Sequence, residues 1–391
     1  MNVKTKLATA ISASMMAAAG TAVADVTLYD YTEATSAYED AYIDGSFSTT
    51  NGNGHDQAAY NAALSLEYDR VFSSAHRNLS VNANAKGSVS RSSTAGADSQ
   101  DNYSASAGVN ADTYFRPGSK GAFWYGSGDL GLKKDAEDPF FKIGIGLGYG
   151  RVVNVTPMAK AIRLVEALMA QGALRAKPSK ATYVSVAQII SRENEYSSKY
   201  RLGNYEQKWI TDIEQALVAS GVLNGSLNAA GVIKARDVLV DEFITTRKSG
   251  WLVRAGLGAV LSNYDGSDGG DPSFDLEAEY HRPINNQTQF SDVASLSTIF
   301  GDDDTGYQFT NEMSWTREIT DKVDWVNSWK LDYSKSGEDG GNDNTTNTLS
   351  SIFYYYLNNQ LDLKVAALAS KSNDLDDVDT SLNVGVSYRL R

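Results

Sequence analysis

The stretch that decides the fold is Leu382-Asn383-Val384-Gly385-Val386-Ser387-Tyr388-Arg389-Leu390-Arg391. Leu382, Val384, Val386, Tyr388 and Leu390 share one face, and Asn383, Gly385, Ser387, Arg389 and Arg391 share the other. Successive side chains of an extended strand point to opposite faces, so this segment places one face in an apolar medium and one in a polar medium. The pattern recurs upstream. Val323, Trp325, Trp329, Leu331 and Tyr333 alternate with Asp324, Ser328, Lys330 and Asp332. Leu361, Leu363, Val365 and Ala367, then Tyr307, Phe309, Met313 and Trp315, repeat it, as do Phe274 to Tyr280 and Tyr60 to Tyr68.

A soluble sandwich would alternate too, so three further features decide. Aromatics gather near segment ends (Phe123, Trp124, Trp251, Trp315, Trp325, Trp329, Tyr354, Tyr355 and Tyr356), as in the interfacial girdles of a membrane barrel. Short turns alternate with longer loops rich in Gly and Asp, as barrels with short inner turns and long outer loops require. All six prolines fall at segment boundaries, where they remove no ladder hydrogen bond. The reading is an all-β transmembrane antiparallel barrel of about fourteen strands. The first, ninth and twelfth segments alternate poorly, which leaves a range of about twelve to sixteen, the even numbers usual for bacterial single-chain barrels.

Composition excludes several classes. The 391 residues carry 35 Lys plus Arg against 48 Asp plus Glu, a net charge of -13, which disfavours nucleic acid as a partner. There is no cysteine, hence no disulfide, thiolate metal site or Cys nucleophile. Residues 1–24 read as a secretory signal peptide: Lys4 and Lys6, an apolar run, then Ala22-Val23-Ala24 as the cleavage triplet.

Residues 155–249 break the period. Thr156-Pro157 reads as an N-cap followed by Pro at the first helical position, and Ile162, Leu164, Val165, Leu168 and Met169 follow at helical spacing. About four short helices are expected. The predicted organisation is an N-terminal segment 25–40, periplasmic or luminal, strands 1–6 over 41–154, an α-helical insert over 155–249, and strands 7–14 over 250–391. If the chain ends in the periplasm, the turn after every even strand is periplasmic, and so is this insert. It carries 13 basic against 9 acidic residues, whereas the rest of the chain after residue 24 carries 20 against 39. A basic helical module suits an acidic lumen, peptidoglycan or a periplasmic protein.

The C-terminal segment resembles the assembly signal of Gram-negative outer-membrane β-barrels, with Asn383, Gly385, Tyr388 and Leu390 in its polar, glycine, aromatic and hydrophobic places. Arg391 departs from it, since an aromatic usually ends that signal. The resemblance implies the outer membrane, contact with its lipid and lipopolysaccharide, and recognition by the barrel-assembly machinery. It is porin-like and points to no particular family.

Site chemistry is sparse. The three histidines His55, His76 and His281 sit in loops or turns with no visible nucleophile–base–orienter set, and no catalytic residue is assigned. Acidic loops (Asp265, Asp268 and Asp271; Asp302 to Asp304; Asp374 to Asp379) lack the EF-hand spacing, so no metal or cofactor is expected. The strand faces predict Glu67, Asp112, Asp129, Lys142, Arg254, Asp275, Glu277, Glu279, Glu312, Lys330 and Lys364 toward the lumen, suiting a water-filled path with a mild cation preference or cross-strand ion pairs. Gly144, Gly146, Gly148 and Gly150, with Gly256 and Gly258, form an inner glycine stripe. Such a stripe marks close approach or tight curvature, and either the insert or segment 25–40 is expected to pack against it. The leading function is a channel or transporter for small polar solutes, gated or plugged by the insert. The alternatives are an anchor whose insert docks a partner, and a barrel-rim hydrolase.

Overall fold

The computed structural model describes residues 26–390, apart from 32–34, 51–56, 201–203, 224, 267–268, 302–304, 336–342 and 374–376. The predicted signal peptide, His55, Asp302 to Asp304 and Arg391 lie outside the described residues. Fourteen strands follow in order: β1 (Ser36–Thr50), β2 (Ala59–Ser73), β3 (Arg77–Arg91), β4 (Gln100–Tyr114), β5 (Ala122–Lys133), β6 (Phe140–Asn154), β7 (Lys248–Ser262), β8 (Asp271–Asn285), β9 (Thr288–Phe300), β10 (Thr305–Thr320), β11 (Val323–Lys335), β12 (Asp343–Tyr356), β13 (Leu361–Ser372) and β14 (Asp379–Arg389). Each pairs antiparallel with its sequence neighbours, and β1 pairs with β14, so the sheet closes into a barrel. Closure lets a sheet cross lipid, because an open edge would strand unpaired N–H and C=O groups in hydrocarbon.

The outward rows follow the alternation. In β6, Phe141, Ile143, Ile145, Leu147 and Tyr149 are all exposed, while their neighbours Lys142 and Gly150 are buried. Several polar groups also sit on the outward face, and they are partnered there. Asn311 donates to Asp292 at 2.7 Å, and the indoles of Trp325 and Trp329 donate to Ser351 and Asn347. The expected girdle needs correction at Phe123, Tyr354 and Tyr356. Phe123 and Tyr356 point inward and are buried, and Tyr354 shares Tyr356's face, whereas Trp124 and Tyr355 are exposed outward. A run of consecutive aromatics splits between the two faces of a strand.

β1 begins at Ser36 rather than at residue 41, and β7 at Lys248, inside the range expected for the insert. Between β6 and β7 lie five helices: α1 (Thr156–Ala170), α2 (Lys180–Ile190), α3 (Glu193–Lys199), α4 (Tyr205–Ala219) and α5 (Ala229–Arg236), the last running into a π-turn over Asp237–Asp241. The helical stretch after Pro178 is broken in two near Ser191-Arg192, which makes five helices where about four are expected. Thr156 is not the N-cap: Val155 holds that place, and the Thr156 hydroxyl donates to Asn154 and accepts from the Arg247 N–H. Ser179 and Asn228 do cap, each accepting from a backbone N–H three residues on.

The helices enclose their own core. Met158, Leu164, Val165, Leu168, Val186, Trp209 and Leu217 are fully buried in it. Leu28 and Tyr31 from the N-terminal segment join this core, so residues 26–31 belong to the helical module and not to the barrel interior. Among the described residues no helix is long and apolar enough to cross a membrane.

Candidate functional site: the lumen and its closed mouth

Two arginines and a lysine organise one side of the inner wall. Arg254 on β7 reaches past β6 and β5 to Asp112 on β4, donating from Nε at 3.2 Å and from Nη2 at 2.9 Å. Its other guanidinium nitrogen meets Glu277 at 2.6 Å and Glu279 at 3.2 Å. Lys142 pairs with Asp275 at 2.5 Å and donates to Ser297, with Asp129 in the facing β5 position. Arg151 donates to Ser73, Asn78 and the carbonyl of Ser74, and lies over the Tyr114 ring. Buried pairs of this kind rigidify a wall only when each charge is met, as Arg254 is by three carboxylates.

The glycine stripe runs alongside this network, with Gly148 opposite Arg254. A Cβ on Gly148 would stand 2.2 Å from the Phe123 ring, and one on Gly146 would stand 2.6 Å from the Tyr125 ring. A Cβ on Gly256 would meet the Tyr125 hydroxyl at 2.3 Å, and those on Gly144 and Gly258 would meet the hydroxyls of Ser127 and Ser273. Gly150 adopts φ +105° and faces the Trp251 carbonyl. The stripe is therefore a bed for side chains of β5 and β8. This corrects the expectation that the insert or segment 25–40 packs there. Phe123 and Tyr125 of β5 thus fill the inside of the wall, whereas the girdle expectation places Phe123 on the lipid side.

The other predicted lumen residues also face inward. Glu67 lies opposite Tyr42, and Glu312 opposite Lys330, which pairs with Asp332 at 2.9 Å. Lys364 Nζ stands 5.7 Å from the Tyr354 ring centroid. At the C-terminal segment Asn383 and Gly385 face inward while Tyr388 and Leu390 are exposed outward.

The helical module sits across one mouth of the barrel, at the end where β6 and β7 meet it. Arg163 of α1 donates to both carboxylate oxygens of Glu318 on β10, at 2.6 and 2.5 Å. Asn194 donates to the Ala37 carbonyl, Asn359 to the Val240 carbonyl, and Tyr38 and Thr246 share a hydrogen bond of 2.8 Å. The segment 242–247, a strap between the π-turn and β7, lies against the inner wall. Phe243 packs on Tyr356 with centroids 4.6 Å apart, the Thr245 hydroxyl donates to Asp324, and Arg389 of β14 lies over the Phe243 ring. Arg247, fully buried, donates to the backbone of Thr245 and Asn286, and burial lowers its pKa. Lys160 of α1 is also lowered, chiefly by burial, with Glu193 and Asp40 opposing that shift. The basic module thus meets an acidic mouth formed by Glu318, Asp324 and Asp40.

One arrangement escaped the sequence. His281 Nδ1 lies 2.9 Å from the Ser291 hydroxyl, and Nε2 lies 3.0 Å from Glu279. The three residues lie on adjacent strands, ten or more positions apart for Ser291, so only the register of β8 against β9 reveals them. These groups line none of three cavities of about 780, 450 and 340 Å³, and Glu279 is engaged with Arg254. Among the described residues no cluster fit to hold a metal occurs.

This geometry defines a class: a closed, fourteen-stranded barrel with lipid-compatible outward rows, a charged lumen and a helical module at one mouth. A family described only as a protein of unknown function, DUF481, matches residues 241–356. No curated protein matches. Among solved structures, the COG4313 outer membrane channel from Pseudomonas putida F1 is similar at 10% identity, covering 95% of this chain and 100% of that one, with a TM-score of 0.34. CdiB from Escherichia coli gives 8% identity, 90% and 62% coverage and a TM-score of 0.39. The translocator domain of the autotransporter NalP from Neisseria meningitidis gives 7%, 99% and 95%, with 0.30.

Proposed function

We propose that this chain is an outer-membrane channel for small polar solutes whose axial path is closed at the periplasmic mouth by the helical insert. The observation that carries the reading is the strap 242–247, lodged against the inner wall through Phe243 on Tyr356 and Thr245 on Asp324. Midway along the wall, polar, exposed inward side chains such as Asn82, Asn84 and Lys86 remain, as a water-filled path requires. Turn parity supports this orientation: if β14 ends in the periplasm, the turn after every even strand, and so the insert, lies on that side.

Single-channel conductance in planar bilayers tests it. The intact protein should conduct little, and a Phe243→Ala/Arg163→Ala variant should conduct severalfold more, with a mild preference for cations. Silence in both, with the insert retaining a partner or peptidoglycan in a pull-down, would overturn the channel in favour of an anchor.

A further inference from the structure

The ring is joined unequally. β1 pairs with β2 along its whole length, from Ser36 opposite Ser73 to Thr50 opposite Ala59. It pairs with β14 over only four residue pairs, from Tyr42 opposite Arg389 to Gly45 opposite Val386. Carried outward, that register would set Phe47 opposite Val384 and Ser48 opposite Asn383, and neither pair forms. Phe47 and Leu382 are 71% and 72% exposed, the most exposed of the large hydrophobic side chains on the described wall.

A cavity of about 780 Å³ occupies this gap. Its lining joins the two sides of the wall: the inward Lys86 and Lys364 with the outward Phe47, Leu64, Leu382 and Val384. The unpaired edges of β1 and β14 could not face hydrocarbon, because each bare N–H or C=O would lack a partner there. Water from the lumen or a polar head group must reach them. The only acidic side chain of the lining is Asp44, against the two lysines, and Lys86 has no ion-pair partner among the described residues.

We propose that this seam is a lateral portal that binds a single-chain anionic amphiphile of the fatty-acid or lysophospholipid kind. Its head sits in the lumen at Lys86 and Lys364, and its chain leaves through the wall between Phe47 and Leu382. The occupant must be polar inside and apolar outside, which excludes the small polar solute of the axial path. The portal does not rest on the channel reading, since conductance tests one and amphiphile binding the other.

The test uses the full-length protein in phosphatidylcholine nanodiscs and spin-labelled stearate, with label immobilisation as the readout. Lysophosphatidylglycerol should displace stearate, and uncharged monooleoylglycerol should not. Lys86→Gln with Lys364→Gln should weaken binding by about tenfold or more, as loss of hydrogen bonds to a charged group implies. The chain has no cysteine, so Ser48→Cys with Asn383→Cys introduces one pair across the gap. Its oxidation should abolish binding and its reduction restore it, while Ile43→Cys with Tyr388→Cys, across the joined part, should leave binding intact when oxidised. Binding that survives oxidation of the outer pair, displacement by the uncharged lipid, or affinity unchanged without the lysines would overturn the portal. So would absence of stearate binding in the reduced protein, which would leave the open edges to a strand from a partner.

Discussion

Phe123 lies where a side chain on Gly148 would have to go, and that contact makes the glycine stripe testable. Gly148→Val should destabilise the barrel by about 1–3 kcal/mol through overpacking, read as a lower urea midpoint of the folded protein in detergent micelles. Gly87→Ala, whose Cβ meets nothing nearer than 4.0 Å, should leave the midpoint in place, and Phe123→Ala should rescue Gly148→Val only in part, because the Val253 carbonyl stands 2.8 Å from the same Cβ. Arg254→Met removes the one cation shared by Asp112, Glu277 and Glu279 and should cost about 3–5 kcal/mol on the same measurement. Ser291, His281 and Glu279 are read as structural, so a fluorophosphonate should not label the protein; labelling lost in Ser291→Ala would revive the hydrolase. Facing was legible at this scale because strand period 2 fixes it. Partners were not, because Asp112 and Arg254 meet across two intervening strands.

At the scale of elements, the helical module was legible from its 3.6 spacing and its Pro and Gly punctuation, but its strap was not. Residues 242–247 carry no period, and their place comes from side chains of β11, β12 and β14 that lie far along the chain. The module also holds a pH lever. Burial depresses the pKa of Lys160, so below the usual lysine value of 10.5 the folded form resists the proton that the unfolded form binds. The unfolded state then holds more protons, and stability rises with pH across that window and falls as pH drops. Lys160→Met should flatten this slope, measured as the urea midpoint as the pH is raised toward the usual lysine value of 10.5.

For the molecule as a whole, the strand number and closure follow from counting alternating segments between turn signals, and fourteen lies inside the expected range. The unequal seam was not legible, because the length of a ladder depends on register, which no single strand encodes. At the joined end the Leu390 N–H donates to the Ala41 carbonyl at 2.7 Å and Arg389 pairs with Asp40. Arg389→Gln should therefore lower the temperature at which the fast-migrating folded band is lost on unheated gels, more than Lys330→Gln does on the wall. Lys330 meets only the half-exposed Asp332, and such a pair contributes little.

Arg389 also rests on Phe243, which ties the strap to the joint with the fewest rungs. A tug on the helices from beneath is thus delivered to the zip of the cylinder and not spread around its hoop. Whatever grips the helical module holds the slider of that zip.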